Sequence, residues 1–231
     1  MTEEDKPGLR ANWQPDSDVL LVAFGGIRSQ ERPRHAYELT RVTARFAVNR
    51  IYLMDDHGLW YHHGIEGHTG NIDETADYLR RAIEARGFRR IVFLGVSGGG
   101  YAALLLGRIL EVDEVHAIAP RTFLDMDNRL EHADYRLIDN AMSLYESDRA
   151  QPQYFDLRSV FDGPPKSETQ FHVYYAERAR IDRAHANHLA GVENVALHGY
   201  QLGSHRLGKW LRDQGHLDEI LEAALLADDA A

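Results

Sequence analysis

Apolar residues in this chain fall into short unbroken runs, separated by stretches in which they recur every three or four positions. Unbroken runs mark strands buried on both faces, and the intervening periodicity marks helices that cover them. Asp18–Phe24 reads as the first such strand and runs into Gly25-Gly26. Arg50–Met54, Arg90–Leu94, Glu114–Ala119 and Gln170–Tyr175 follow, and a sixth strand falls within Val192–Tyr200. Between them, helices are predicted over His35–Val48, Gly100–Leu106, Asp182–Ala190 and Arg206–Leu226. A further helix starts after Asn71, a capping residue, carries Ile72, Thr75, Ala76, Leu79 and Ile83 on one face, and stops at Gly87. Strands alternating with helices in this way predict a three-layer α/β/α sandwich around a mostly parallel sheet of about six strands. Ligands of such sheets bind beyond the carboxyl ends of the strands.

Three segments stand outside the rhythm. Residues 1–13 are polar, contain Pro7-Gly8, and read as a flexible lead-in to one domain over 14–226. Residues 121–168, rich in Asp, Arg and aromatics, read as a cap-like insertion over the top of the sheet, and 227–231 as a tail.

Charge and composition narrow the partners. A net charge of -10 disfavours nucleic acid and anionic membrane surfaces, which require a positive field. No run approaches the roughly 20 apolar residues of a membrane span. Met1–Asp5 is acidic, the reverse of a signal peptide, so a cytoplasmic location is expected. The absence of cysteine excludes thiol chemistry and sulfur-ligated zinc.

The chemistry concentrates in Gly95-Val96-Ser97-Gly98-Gly99, where an apolar strand meets a small-residue helix. A serine flanked by glycines at such a junction is a nucleophile elbow: the sharp turn lifts Oγ clear of the sheet and aims the following N–H at the same point. A serine needs a base, a group to orient that base, and donors for an oxyanion. The Gly98 N–H is one donor, and Gly26 or Ile27, on the loop leaving the first strand, supplies the second. His205, on the loop before the last helix, is the expected base, in preference to His198 within a strand and His185 within a helix. Glu177 and Asp182, after the fifth strand, are both candidates for the acid. Tyr101, Arg121 and His63 are candidate substrate contacts, with Arg121 placed to meet a substrate anion. The histidines at 57, 62, 63 and 68 fit no common zinc spacing and read as a pocket wall, so neither a metal nor an organic cofactor is expected.

Gly-Val-Ser-Gly-Gly with the order Ser, acid, His resembles the α/β-hydrolase superfamily over residues 18–226. A closer resemblance is to a poorly characterised bacterial group of α/β-hydrolase-like proteins, carried by Trp60–Gly64, Ser97–Leu104, Ala119–Asp125, Asp182–Ala186 and Lys209–Asp213. It implies a minimal α/β-hydrolase fold and selects Asp182 as the acid, which is also placed to cap its helix. The chain departs from the full-length superfamily pattern at its front, where the first antiparallel strands read as missing or reduced, and it shows no large lipase-type lid. The expected activity is that of a serine esterase acting on a small ester or thioester. The alternatives are O-acyl transfer to a sugar or natural-product hydroxyl, and a non-catalytic binding module on the same fold.

Overall fold

Two strands lie where the sequence predicts a loose lead-in. A computed structural model describes residues 2–27, 37–162 and 167–226. The described chain opens with β1 (Thr2–Lys6) and β2 (Leu9–Trp13), an antiparallel hairpin turned at Pro7-Gly8. Gly8 adopts φ +73°, a left-handed conformation that costs glycine little. Only Leu9 and Ala11 of β2 are buried. Two alternating apolar positions are too few to stand out in the sequence beside the longer runs.

The other strands are β3 (Val19–Phe24), β4 (Asn49–Leu53), β5 (Arg90–Val96), β6 (Glu114–Ile118), β7 (Gln170–Ala176) and β8 (Val195–Tyr200). Among the described residues they form an eight-stranded sheet of order β1-β2-β4-β3-β5-β6-β7-β8, two strands more than expected. β2 runs antiparallel to β4, and all pairings from β4 to β8 are parallel. The described helices are α1 (Thr40–Thr43), α2 (Ile72–Glu84), α3 (Gly98–Leu110), α4 (Met126–Glu131), α5 (Ile138–Tyr145), α6 (Leu157–Phe161), α7 (Arg180–His188), α8 (Leu207–Asp213) and α9 (His216–Leu226).

Alternation along β3 shows how the layers form. Leu20, Val22 and Phe24 join one core with α2 and α3, whereas Val19 and Leu21 join a second core with α8 and α9. The helix expected over 35–48 is reduced to α1, and its first two positions lie outside the described residues. The helix expected over 206–226 is broken at Gly215, which takes φ +84°. The inserted segment is built into the first core through Leu124, Ala141, Leu144, Leu157 and Phe161. The tail at 227–231 lies outside the described residues.

The chain leaves β3 toward β4 on one side, and β5 lies on the other. The loops that end β3 and β5 therefore diverge, and the gap between them is where such sheets bind ligands. Gly25–Ile27 and Ser97 stand on either side of that gap.

Candidate active site

Ser97 sits between β5 and α3 with φ 55° and ψ −114°. This conformation strains a residue that bears a Cβ by about 1–3 kcal/mol, so the surroundings must enforce it. They do so by close backbone contact. A Cβ on Gly95 would lie 2.1 Å from the Gly99 carbonyl oxygen, and a Cβ on Gly99 would lie 2.1 Å from that of Phe24. The Ser97 N–H donates to the Ile118 carbonyl at 2.9 Å, tying the turn to the end of β6.

His205 reaches Ser97, and Asp182 reaches His205. Ser97 Oγ is 2.9 Å from His205 Nε2, and His205 Nδ1 is 2.9 Å from Asp182 Oδ1. With Asp182 ionised, the Nδ1–H donates to the carboxylate and Nε2 is left to accept the serine proton. Glu177 is not the partner: its carboxylate packs over Gly199, where a Cβ would lie 2.2 Å from Oε1. Nor does Asp182 cap its helix. α7 begins at Arg180 with Ala179 at the cap, and Oδ1 of Asp182 is taken by His205 and by Arg136 Nη1 at 2.8 Å. Burial pushes the Asp182 carboxyl up, but the hydrogen bonds and charges of His205 and Arg136 outweigh it and hold the group below its usual range.

Arg136 belongs to a chain of alternating charges. Its Nε donates to Asp134 Oδ1 at 3.0 Å, and Asp134 Oδ2 accepts from Arg121 and, at 3.1 Å, from His185 Nε2. His185 Nδ1 accepts the Thr122 N–H at 3.1 Å, so the ring is neutral, and burial brings its pKa down to about 3. Arg121 is therefore not a substrate contact. It is 2% exposed and committed to Asp134, because a buried guanidinium requires a countercharge.

The oxyanion donors separate by geometry. The Gly26 N–H is already bonded to Glu38 Oε2 at 3.0 Å. Ile27 N lies 3.3 Å from the point a Cβ on Gly98 would occupy, and neither the Ile27 nor the Gly98 N–H finds an acceptor among the described residues. Those two N–H groups are free to face a shared ligand atom.

Tyr101 and His63 do not line the cleft. Tyr101 is wholly buried inside α3, where its hydroxyl donates to the Tyr154 carbonyl at 2.8 Å and meets His62 Nε2 at 3.1 Å. His62 accepts the Gln151 N–H on Nδ1, and burial lowers its pKa to about 3. His63 Nε2 lies 2.6 Å from Ser147 Oγ and ties its loop to the insertion. Among the described residues no three His, Asp or Glu side chains converge as a metal site.

The cleft beside His205 has a volume near 870 Å³. Its lining includes Val96, Leu39, Val42, Leu217 and Glu38, with Arg41, Arg206, Lys209 and Arg212 at the exposed rim. Sequence reading missed Arg136, Glu38 and these rim residues. Of them, Arg206 had a local signal, since it follows His205 directly.

A doubly wound sheet, a strained serine after its central strand, and a histidine and acid after its last two strands define the α/β-hydrolase fold, and this chain has it. No protein-family model matches the chain, and no curated protein sequence does. Solved structures do match. The chain is similar to the capsule O-acetyltransferase of Neisseria meningitidis serogroup A, at 14% identity and a TM-score of 0.66, over 95% of this chain and 94% of that one. A mutant of that protein in complex with CoA matches at 14% identity and a TM-score of 0.65, over 94% and 93% of the two chains. A putative esterase from Staphylococcus aureus matches at 12% identity and a TM-score of 0.62, over 100% of this chain and 84% of that one.

Proposed function

We propose that the protein is a serine ester hydrolase acting through an acyl-enzyme on Ser97. The observation that carries this reading is the hydrogen-bonded series Ser97 Oγ, His205 Nε2, His205 Nδ1, Asp182 Oδ1, with both links at 2.9 Å. Ser97 Oγ attacks the carbonyl carbon of a small ester or thioester while His205 Nε2 takes its proton. The Gly98 and Ile27 N–H groups hold the resulting oxyanion, each lowering the barrier by about 3 kcal/mol. His205 then returns the proton to the departing alcohol or thiol. Water, deprotonated by the same nitrogen, attacks the acyl-enzyme; the Ser97 Oγ–acyl bond breaks, the acid leaves, and His205 returns the proton to Oγ. Asp182 fixes the tautomer and stabilises the imidazolium throughout.

A fluorophosphonate probe tests the reading. One adduct per chain on Ser97, lost in Ser97→Ala, is the expected result. Folded protein that takes up no label would overturn it.

A second reading replaces water with a sugar or natural-product hydroxyl, making the protein an O-acyltransferase. It is favoured by the capsule O-acetyltransferase likeness, which spans nearly all of both chains. Product analysis with acetyl-CoA, with and without polyol acceptors, separates the two. Ester formation faster than hydrolysis would establish transfer.

A further inference from the structure

The cleft beside His205 is lined by four cationic side chains and one acidic one among the described residues, in a chain of net charge -10. Arg41, from α1, and Arg206, which opens α8, have no ion pair or hydrogen bond among the described residues. Lys209 and Arg212, further along α8, share Asp213 at 2.5 and 2.7 Å. Among the described lining residues Glu38 is the one acid, and its Oε2 accepts the Gly26 N–H. Leu39, Val42, Val96 and Leu217 give the half-buried and buried lining an apolar part, beside Tyr37, Thr40 and Gly208.

We propose that this cleft holds the departing half of the acyl donor, and that this half carries phosphate. The inference rests on the reading of Ser97 as the acylated residue and names the class of donor for that site. His205 Nε2 is the nitrogen that hands a proton to the leaving group, so the walls beyond it meet the leaving group and not the acyl chain. A volume near 870 Å³ far exceeds what a small alcohol fills. The apolar lining suits an extended carbon linker, and a guanidinium's planar fork of donors suits phosphate oxygens. Two unpaired arginines at one rim fit a multiply charged anion better than a single carboxylate. A phosphate-bearing thioester combines these properties: an activated carbonyl, a thin linker, and phosphate at the far end.

Binding is measured first, in Ser97→Ala, by calorimetry with adenosine 3′,5′-bisphosphate. Saturable binding is expected, weakened about tenfold or more both by the double substitution Arg41→Gln with Arg206→Gln and by raising salt. No binding, or binding indifferent to those two residues, overturns the subsite whatever Ser97 does. The catalytic arm compares acetyl-CoA with S-acetyl-N-acetylcysteamine, the same thioester without phosphate. The ratio of their kcat/KM values should exceed about ten and fall at least tenfold in the double variant. A ratio near one, or one that the variant does not move, overturns the proposal. Glucose 1-phosphate supplies a phosphate on the acceptor side. If it displaces the bisphosphate and competes with acceptor but not with donor, the donor assignment is overturned. Absence of fluorophosphonate label with intact bisphosphate binding would instead reject the Ser97 reading and leave the anion subsite standing.

Discussion

Arg136 Nη1 and His205 Nδ1 meet at one oxygen, Oδ1 of Asp182, at 2.8 and 2.9 Å. The acid that orients the histidine is thus neutralised by a residue from the inserted segment, not from the sheet. Removing the guanidinium leaves a buried carboxylate with one neutral donor, and burial then favours the protonated acid. The guanidinium is 31% exposed, so its loss falls short of the full penalty for a broken buried pair. Arg136→Met should lower kcat about 10- to 100-fold with little change in KM, and Arg136→Lys should recover part of it. Steady-state kinetics on a neutral ester check this, and equal losses in KM would contradict it.

The elbow stores strain at Ser97, whose φ is 55°. Ser97→Ala and Ser97→Gly should each lower turnover about a thousandfold or more. Glycine tolerates the conformation and alanine does not, so Ser97→Gly should be the more stable of the two by about 1 kcal/mol. Urea denaturation of the pair gives the difference directly.

Gly98 and Gly99 are adjacent, but substitution should act differently at each. The Cβ of Gly99→Ala would lie 2.1 Å from the Phe24 carbonyl oxygen, so backbone must move, and a loss of about 3 kcal/mol or more is expected. The Cβ of Gly98→Ala would meet Ile27 Cγ1 at 3.2 Å and Ile27 N at 3.3 Å. That variant should fold, yet lose about 10- to 100-fold in kcat as the methyl group crowds the two donors. Parallel unfolding curves and rates would separate the two effects.

Acid should weaken the fold before carboxylates other than Asp55 titrate. Burial lowers the pKa values of His62 and His185 to about 3, so between about pH 6.5 and 3 the unfolded chain binds the protons that the native rings refuse. Stability therefore falls as pH falls through that window. Asp55 acts in the opposite sense, since burial raises its pKa to about 6 and the native state takes up a proton first. The depressed Asp182 loses its contribution only as pH drops below about 4. The two histidines outweigh the one aspartate, and the lowered pKa values of His63, His116 and His198 act in the same sense, so stability falls from pH 6 to 5. Urea midpoints across that range test the sign, and a flat profile would refute it.

The parallel sheet, Ser97 and His205 are legible because each rests on local patterns: buried strands, a glycine-flanked turn, a loop at a strand end; for the acid those patterns leave Glu177 beside Asp182, and only the family resemblance selects Asp182. What was not legible depends on tertiary placement. The β1–β2 hairpin buries only Leu9 and Ala11 of β2, too little to register as periodicity. Arg121 follows a strand at the expected edge, yet Asp134 draws it inward, and nothing local announces that pairing. Arg136 sits beside Leu137, whose left-handed φ of 53° starts α5, and its partner Asp182 is 46 positions away. Gly26 and Ile27 were equivalent by sequence. Only the placement of Glu38, after a stretch of chain with no periodic signal, tells them apart.

The insertion and the sheet share one electrostatic unit, so they cannot be exchanged independently. A chimera that grafts a different cap onto this sheet would keep the serine, the imidazole and the aspartate in place while stranding a negative charge in the interior. Selection for new specificity in the insertion must therefore work around position 136, and loop-shuffling libraries that randomise it should yield folded but sluggish proteins.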